Sequence, residues 1–342
     1  MKDSITTSED LKKHLGCDFI ELPDVINQFP VRINSYILNQ IRLHGHPIRA
    51  QYVPDVQEIQ DTTCIPDPLG EEDLSKTPNL VHKYPDRVLF LVTGQCSAFC
   101  RFCTRKRKVG TERMAISKKA IDRSIEYIRS NPTIREVLIS GGDPLHLPDS
   151  TIDRILTKLR SIPSVEIIRI GSRMPSSLPM RVTPQLVRML SSHHPLYINT
   201  HFNHPAELTK ESIRACTMLA DAGIPVGCQT VLLRGINDNS KILAELFCKL
   251  LRIRVKPYYL FQGDLTRGTN HFRTTTKCGI QIMQELYGHI SGMAIPIYAL
   301  DAPGGKGKIP LTPNYLLQSG RDLVFRNFRG EVCSYPEPVD SF

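Results

Sequence analysis

Three cysteines stand close together in Cys96-Ser97-Ala98-Phe99-Cys100-Arg101-Phe102-Cys103, a C-x3-C-x2-C spacing just after an apolar run. Three thiolates on one loop can hold three irons of a cubane cluster and leave the fourth iron without a protein ligand. A full electron-transfer cluster normally takes four cysteines, and structural zinc takes four nitrogen or sulfur ligands. An incomplete set therefore implies an open coordination position for something small. The plainer readings are buried thiols, or zinc completed by a distant residue, since no histidine lies within the loop. The other seven cysteines, at 17, 64, 216, 228, 248, 278 and 333, stand singly. They read as small buried hydrophobes. The N-terminal MKDSITTSEDLKKHLG lacks the apolar stretch of a secretory signal, so no disulfide framework is expected.

Two further segments carry candidate chemistry. In Ser140-Gly141-Gly142-Asp143-Pro144 the glycines permit close approach of backbone to a ligand, and Asp143 could pair with a cation. The same residues are also good turn chemistry. In Asp301-Ala302-Pro303-Gly304-Gly305-Lys306-Gly307-Lys308-Ile309-Pro310, a lysine in a glycine-rich loop is an anion binder or a Schiff-base nucleophile. A P-loop is excluded, because no G-x4-G-K-[ST] precedes a helix and Pro310 interrupts at once. By spacing alone a solvated flexible loop is the favoured reading. Arg105-Lys106-Arg107-Lys108 reads either as part of a site or as a basic nucleic-acid or localisation patch.

The elements that must position these residues follow from length and pattern. The chain has 342 residues, 41% hydrophobic and 23% charged, with a formal net charge of +9. That suits a globular fold with a sizeable core and an affinity for anionic partners. Its apolar runs fall short of the roughly 18 residues of a membrane span. Residues 1–80 show helical patterns at Glu9–Leu15 and Arg32–Arg42, then a loop rich in Pro and Asp. From residue 87, β-branched or apolar runs recur at 88–93, 136–140, 166–170, 196–200, 226–232 and 256–261. Helical patterns lie between them, with start signals at Ser117, Asp149-Ser150, Thr183-Pro184, Thr209 and Asn239-Ser240. Alternating strands and helices with right-handed crossovers give a parallel sheet. Six units predict an α/β fold, a partial (β/α)6 barrel, with a doubly wound open sheet as runner-up. Each strand is followed by a polar cluster, and in a barrel those clusters share one mouth.

The three-cysteine loop after the first barrel strand, with Ser140-Gly141-Gly142-Asp143-Pro144 after the second, resembles the radical S-adenosylmethionine superfamily. From about Lys83 to Pro336 the chain is similar to the lysine 2,3-aminomutase family. The matching runs include Lys83-Tyr84-Pro85-Asp86-Arg87, Thr200-His201-Phe202-Asn203-His204-Pro205, Val231–Asp238, Lys256-Pro257-Tyr258-Tyr259, His271-Phe272-Arg273-Thr274 and Asp301-Ala302-Pro303-Gly304-Gly305. The resemblance implies three cofactors: a [4Fe-4S] cluster on Cys96, Cys100 and Cys103, S-adenosylmethionine, and pyridoxal 5′-phosphate. It places the cofactor lysine at Lys308, with Lys306 as the nearby decoy, and S-adenosylmethionine contacts at Ser140, Gly141, Gly142 and Asp143. Lys83 and Arg87 fall near the pyridoxal phosphate group, and His201 and Gln229 at cofactor contacts. Arg105 matches the substrate-carboxylate arginine, and Asp264 and Asp301 match the carboxylates that hold the ε-ammonium of L-lysine. Two anions facing a compact ammonium select lysine over shorter or neutral amino acids.

The implied reaction moves the α-amino group of L-lysine to the β-carbon through a pyridoxal aldimine radical, giving β-lysine. Expected partners are the substrate L-lysine and a low-potential electron donor such as flavodoxin or ferredoxin, with no membrane and no nucleic acid. A cytoplasmic location is expected. The implied organisation is an N-terminal helical extension over 1–80, the radical S-adenosylmethionine partial barrel over 81–275, and a C-terminal segment with the cofactor lysine over 276–342. Three features depart from the family pattern. There is no cysteine-rich C-terminal tail, Asn239 replaces a zinc-binding cysteine, and Phe261 and Gly263 replace the usual Tyr and Cys before Asp264. A homo-oligomer would then lack the zinc-linked tail. A sister group makes (R)-β-lysine for elongation factor P but lacks the Asp-Ala-Pro-Gly-Gly run. A rival of another class, a non-catalytic iron–sulfur or basic RNA-binding protein, would need neither Lys308 nor the two carboxylates.

Overall fold

The computed structural model describes residues 4–320 and 322–338. Ten strands form one sheet in chain order: β1 (Ser75–Thr77), β2 (Leu80–Tyr84), β3 (Arg87–Thr93), β4 (Glu136–Gly141), β5 (Ile167–Gly171), β6 (Leu196–His201), β7 (Val226–Leu232), β8 (Val255–Gln262), β9 (Ile297–Ala302) and β10 (Gly307–Pro310). Neighbours from β3 to β9 pair in parallel. β1, β2 and β10 are antiparallel at the two edges. This is a partial β/α barrel. The six expected strands are its centre. The strand run stops at none of them: β9 adds a seventh parallel strand after the helix Thr276–Leu286. Its sequence signal is weak because Pro296 stands directly before the short apolar run.

The helices between strands start where side chains can take up free backbone N–H groups. Ser117, Thr183, Thr209, Asn239 and Thr275 each accept from the first turn of the helix they precede, and such a cap contributes about 1 kcal/mol. Asn239 therefore has a local role, with its Oδ1 2.9 Å from the Lys241 amide. Two expected starts shift. Asp149 and Ser150 lie inside the first turn, with Pro148 at the cap. The helix expected from Arg32 begins at Ser35, because Asn34 accepts from the Ile37 amide at 2.8 Å.

The barrel core is built from alternate strand residues such as Phe90, Ile139, Ile168, Ile198 and Leu260. They face helix stripes such as Ile121, Ile125 and Ile128. A second core joins the N-terminal helices (Leu11, Ile37, Tyr52) and the bridged Ile33 to Ala98 and Cys100 of the cysteine loop. Of the seven scattered cysteines, four are buried (Cys17, Cys64, Cys216, Cys228) and three are half-buried. The C-terminal residues form a separate antiparallel sheet of Leu316–Gln318, Asp322–Arg326 and Val332–Pro336. No helix among the described residues is long and apolar enough to cross a membrane.

Candidate active site

A cavity of about 660 Å³ opens at the carboxyl ends of the parallel strands. It is lined by Cys96, Cys100, Cys103, Arg105, Ser140, Gly142, Asp143, Lys83, Arg87, His201, Gln229, Asp264, Asp301 and Lys308. Most come from the carboxyl ends of different parallel strands and the loops after them, which is how a parallel barrel assembles one site, while Arg87 opens β3 and Lys83 and Lys308 come from the antiparallel edge strands β2 and β10. Of the residues singled out in the sequence, Gly141 lies just behind the wall, where its carbonyl accepts from Arg105 Nη1 at 3.3 Å. Lys306 is exposed and outside the cavity.

The cysteine loop is held from the N-terminal side. The Arg32 carbonyl accepts from the Phe99 amide, and the Gln51 carbonyl from the Arg101 amide at 2.8 Å. Arg32 Nη1 donates to the Cys96 carbonyl at 3.1 Å. Glu58, fully buried, accepts from Arg101 Nε at 2.8 Å and from Lys106 Nζ at 2.8 Å. The glycine segment abuts the same loop: a Cβ on Gly142 would lie 2.3 Å from the Gln95 carbonyl oxygen, and one on Gly141 2.2 Å from that of Thr93. Gly141 also has φ +141. These positions therefore require glycine. Asp143, which could pair with a cation, lines the cavity and accepts from Ser172 Oγ at 2.6 Å and the amides of Arg173 (2.7 Å) and Leu145 (3.0 Å). Burial and then Asp143 push the Cys96 thiol well above its ordinary range, and burial with Cys100 raises Cys103. Arg173 Nη1 donates to Cys100 Sγ at 2.7 Å. Arg173 stood in a polar cluster after a strand, yet nothing in its spacing assigned it to a thiol.

At the opposite end, β9 and β10 pair so that Lys308 faces Asp301. Lys308 Nζ lies 3.0 and 3.2 Å from the two Asp301 oxygens and 5.1 Å from the centre of the Phe261 ring. The Lys308 amide donates to Tyr84 Oη at 3.1 Å. Lys83 Nζ approaches Asp301 at 3.5 Å. Arg87 lies over the Tyr84 ring at 4.1 Å and donates to Asp86 at 2.9 Å. Burial, then the Asp301 charge, push the Asp264 carboxyl up to about 7, against the pull of Lys308 and Lys83. Arg273 packs against Gly263 next to it, where a Cβ would meet Arg273 Cγ at 3.3 Å. His201 is held neutral: burial and then Arg173 push it down to about 3, and its Nε2 lies 2.9 Å from Asn203 Oδ1.

A three-thiol loop at the mouth of a partial barrel defines an enzyme of the radical S-adenosylmethionine class, and the sequence model of that superfamily matches residues 90–247. The lysine-2,3-aminomutase model matches residues 283–342. The chain is 46% identical over 347 residues to L-lysine 2,3-aminomutase of Clostridium subterminale, covering 99% of this chain and 83% of that protein. It is 48% identical over 345 residues to the enzyme of the same name from Fusobacterium nucleatum, covering 99% and 81%. It is 44% identical over 314 residues to glutamate 2,3-aminomutase of Clostridioides difficile, covering 91% and 74%. The chain belongs to the lysine 2,3-aminomutase family and is an isomerase.

Its cofactors are a [4Fe-4S] cluster, S-adenosylmethionine and pyridoxal phosphate, and the residues present fit them. Among the described residues no three His, Cys, Asp or Glu side chains converge on a single metal ion. Cys96, Cys100 and Cys103 line the same cavity, and a set of three thiols with no fourth protein ligand beside it among the described residues suits three corners of a cubane. Lys308 presents its amine to the cavity, and the cations Lys83 and Arg87 line the same space. A cavity of about 660 Å³ is of the size that encloses cofactor-sized ligands.

Proposed function

We propose that this chain moves the α-amino group of L-lysine to the β-carbon, giving β-lysine. The observation that carries the reading is the pair of carboxylates, Asp264 and Asp301, in one cavity with Lys308 and Arg105. When bound, the cluster and S-adenosylmethionine supply a hydrogen-abstracting adenosyl radical, and pyridoxal phosphate supplies an aldehyde for the migrating amino group.

The chain's own residues do the rest. Lys308 holds the cofactor aldehyde, and Lys83 and Arg87 meet its phosphate. Ser140, Gly141, Gly142 and Asp143 shape the S-adenosylmethionine wall, with His201 and Gln229 as further cofactor contacts. Arg105 receives the substrate carboxylate by a bidentate pair. Asp264 and Asp301 receive the ε-ammonium. Anchors at both ends of the substrate fix which carbon lies in the middle, and such positioning is a large part of catalysis. Lys308 Nζ pairs with Asp301, so this carboxylate already accommodates an ammonium group of the kind the substrate brings. Leu69, Val81, Phe102 and Phe261 supply apolar wall that excludes water. A low-potential donor such as flavodoxin or ferredoxin delivers the electron.

Anaerobically reconstituted protein should show iron–sulfur absorbance and a pyridoxal imine band. With reductant and S-adenosylmethionine it should convert L-lysine to β-lysine, whose chirality is read in the same assay. Protein that binds both cofactors, leaves lysine unchanged and turns over other amino acids refutes the substrate assignment.

A further inference from the structure

Glu71 lies in the loop before β1, outside every segment the sequence marked as chemical. Its carboxylate grips Arg105 closely: Arg105 Nε donates at 2.8 and 3.1 Å and Nη2 at 2.5 Å. Both side chains are mostly buried, at 15% and 11% exposed, and both line the cavity.

We infer that Glu71 is a positioning residue for substrate recognition: it holds one edge of the Arg105 guanidinium so that the other edge is presented to the substrate carboxylate. The inference rests on the role proposed for Arg105. A guanidinium carries five N–H groups in a rigid plane. Glu71 takes the Nε hydrogen and one on Nη2, and the Gly141 carbonyl takes one on Nη1. One hydrogen on Nη1 and one on Nη2 remain, which is the fork that a second carboxylate meets bidentately. Without Glu71 the long side chain is free to rotate in the cavity, and the fork is no longer pre-set.

The loop around Glu71 is itself anchored at both ends of the site. Asp67 and Glu72 pair with Arg107 at 3.2 and 3.0 Å, beside Arg105 in sequence. The Pro68 carbonyl accepts from the Gly304 amide at 2.9 Å, and a Cβ on Gly70 would lie 3.2 Å from the Gly304 carbonyl carbon. The loop thus ties the carboxylate anchor to the turn that precedes Lys308, and a fixed Glu71 follows from that packing.

The test uses cofactor-loaded protein and the shift of its pyridoxal band on titration with an accepted amino acid and with the matching α-carboxamide. Wild type should favour the acid over the amide. Glu71→Ala should weaken acid binding about tenfold, the scale of a lost or misaligned charged pair, and leave amide binding within about twofold. Glu71→Gln keeps one acceptor and should fall between. The KM for the acid should rise with the same ratio, and kcat should change less. Equal losses for acid and amide, or no loss for either, overturn the inference. The ratio is measurable with any amino acid the protein accepts. Failure of lysine as substrate therefore sinks the proposed function without deciding this point. If Glu71→Ala yields too little folded protein, Glu71→Gln alone decides by whether the acid-to-amide ratio falls.

Discussion

The carboxyl of Asp264 has the most informative titration in the cavity. Burial is the largest cause of its rise from 3.8 to about 7, and the Asp301 charge comes next. An ammonium ligand needs that carboxyl ionised. At about pH 6 roughly one molecule in eleven carries the charge, so KM for lysine should stand about tenfold above its high-pH limit; by about pH 8 the difference is about 10%. The stability effect has the opposite sign. The folded state holds the proton that the unfolded state releases between 3.8 and about 7. Stability from this group therefore falls as pH rises through that window, while affinity for lysine rises. The assay is KM against pH for wild type and Asp264→Asn, with band-shift titration by L-norleucine as the control that lacks the ammonium. Wild type should show the slope, the variant a flat and weak profile, and norleucine no slope. A lysine profile that is flat from about pH 6 to about pH 8, or an equal slope in Asp264→Asn, refutes the assignment of Asp264 to the ammonium.

Three further outcomes are expected. Lys308→Ala should abolish the pyridoxal imine band and Lys306→Ala should leave it, since only Lys308 reaches the cavity; absorbance after borohydride reduction reads both. Glu58→Gln removes the carboxylate shared by buried Arg101 and Lys106, and should cost about 3–5 kcal/mol in stability, read by denaturant unfolding together with iron per chain. Gly142→Ala forces a Cβ to within 2.3 Å of the Gln95 carbonyl oxygen, so iron loading should fall sharply while pyridoxal binding at the far end persists.

The parts of this fold that are legible in sequence are those governed by local periodicity. The six central strands are apolar runs of strand length, and their helices carry caps such as Ser117 and Thr209 whose side chains bond the first turn. The cysteine triad is legible for a similar reason, because all its ligands lie within eight residues of one loop. β9 is not, since its run is short and follows a proline. Glu71 and Glu58 lie 34 and 43 residues before Arg105 and Arg101, their respective partners, and no spacing rule spans that distance. A polar residue in a loop reads as solvated until tertiary structure buries it. The Asp143 carboxylate is the converse case. The sequence places it correctly at a strand end, but its hydrogen bonds run to the next strand's loop.

The charges of the cavity follow from these placements. Lys83, Arg87 and Arg105 line it with Asp264 and Asp301, and the Lys83–Asp301 and Lys308–Asp301 pairs leave Asp264 as a carboxylate that burial has made costly to ionise. A ligand that brings both a carboxylate and a distant ammonium offsets that cost and also satisfies Arg105. A diacid would relieve neither carboxylate, and a neutral side chain would leave Asp264 protonated. Lys308 matters twice in this balance. On the role proposed for Lys308, an amine committed to the cofactor aldehyde would leave Asp301 without its nearest cation, and loading of the cofactor would be coupled to selection of the substrate through one carboxylate.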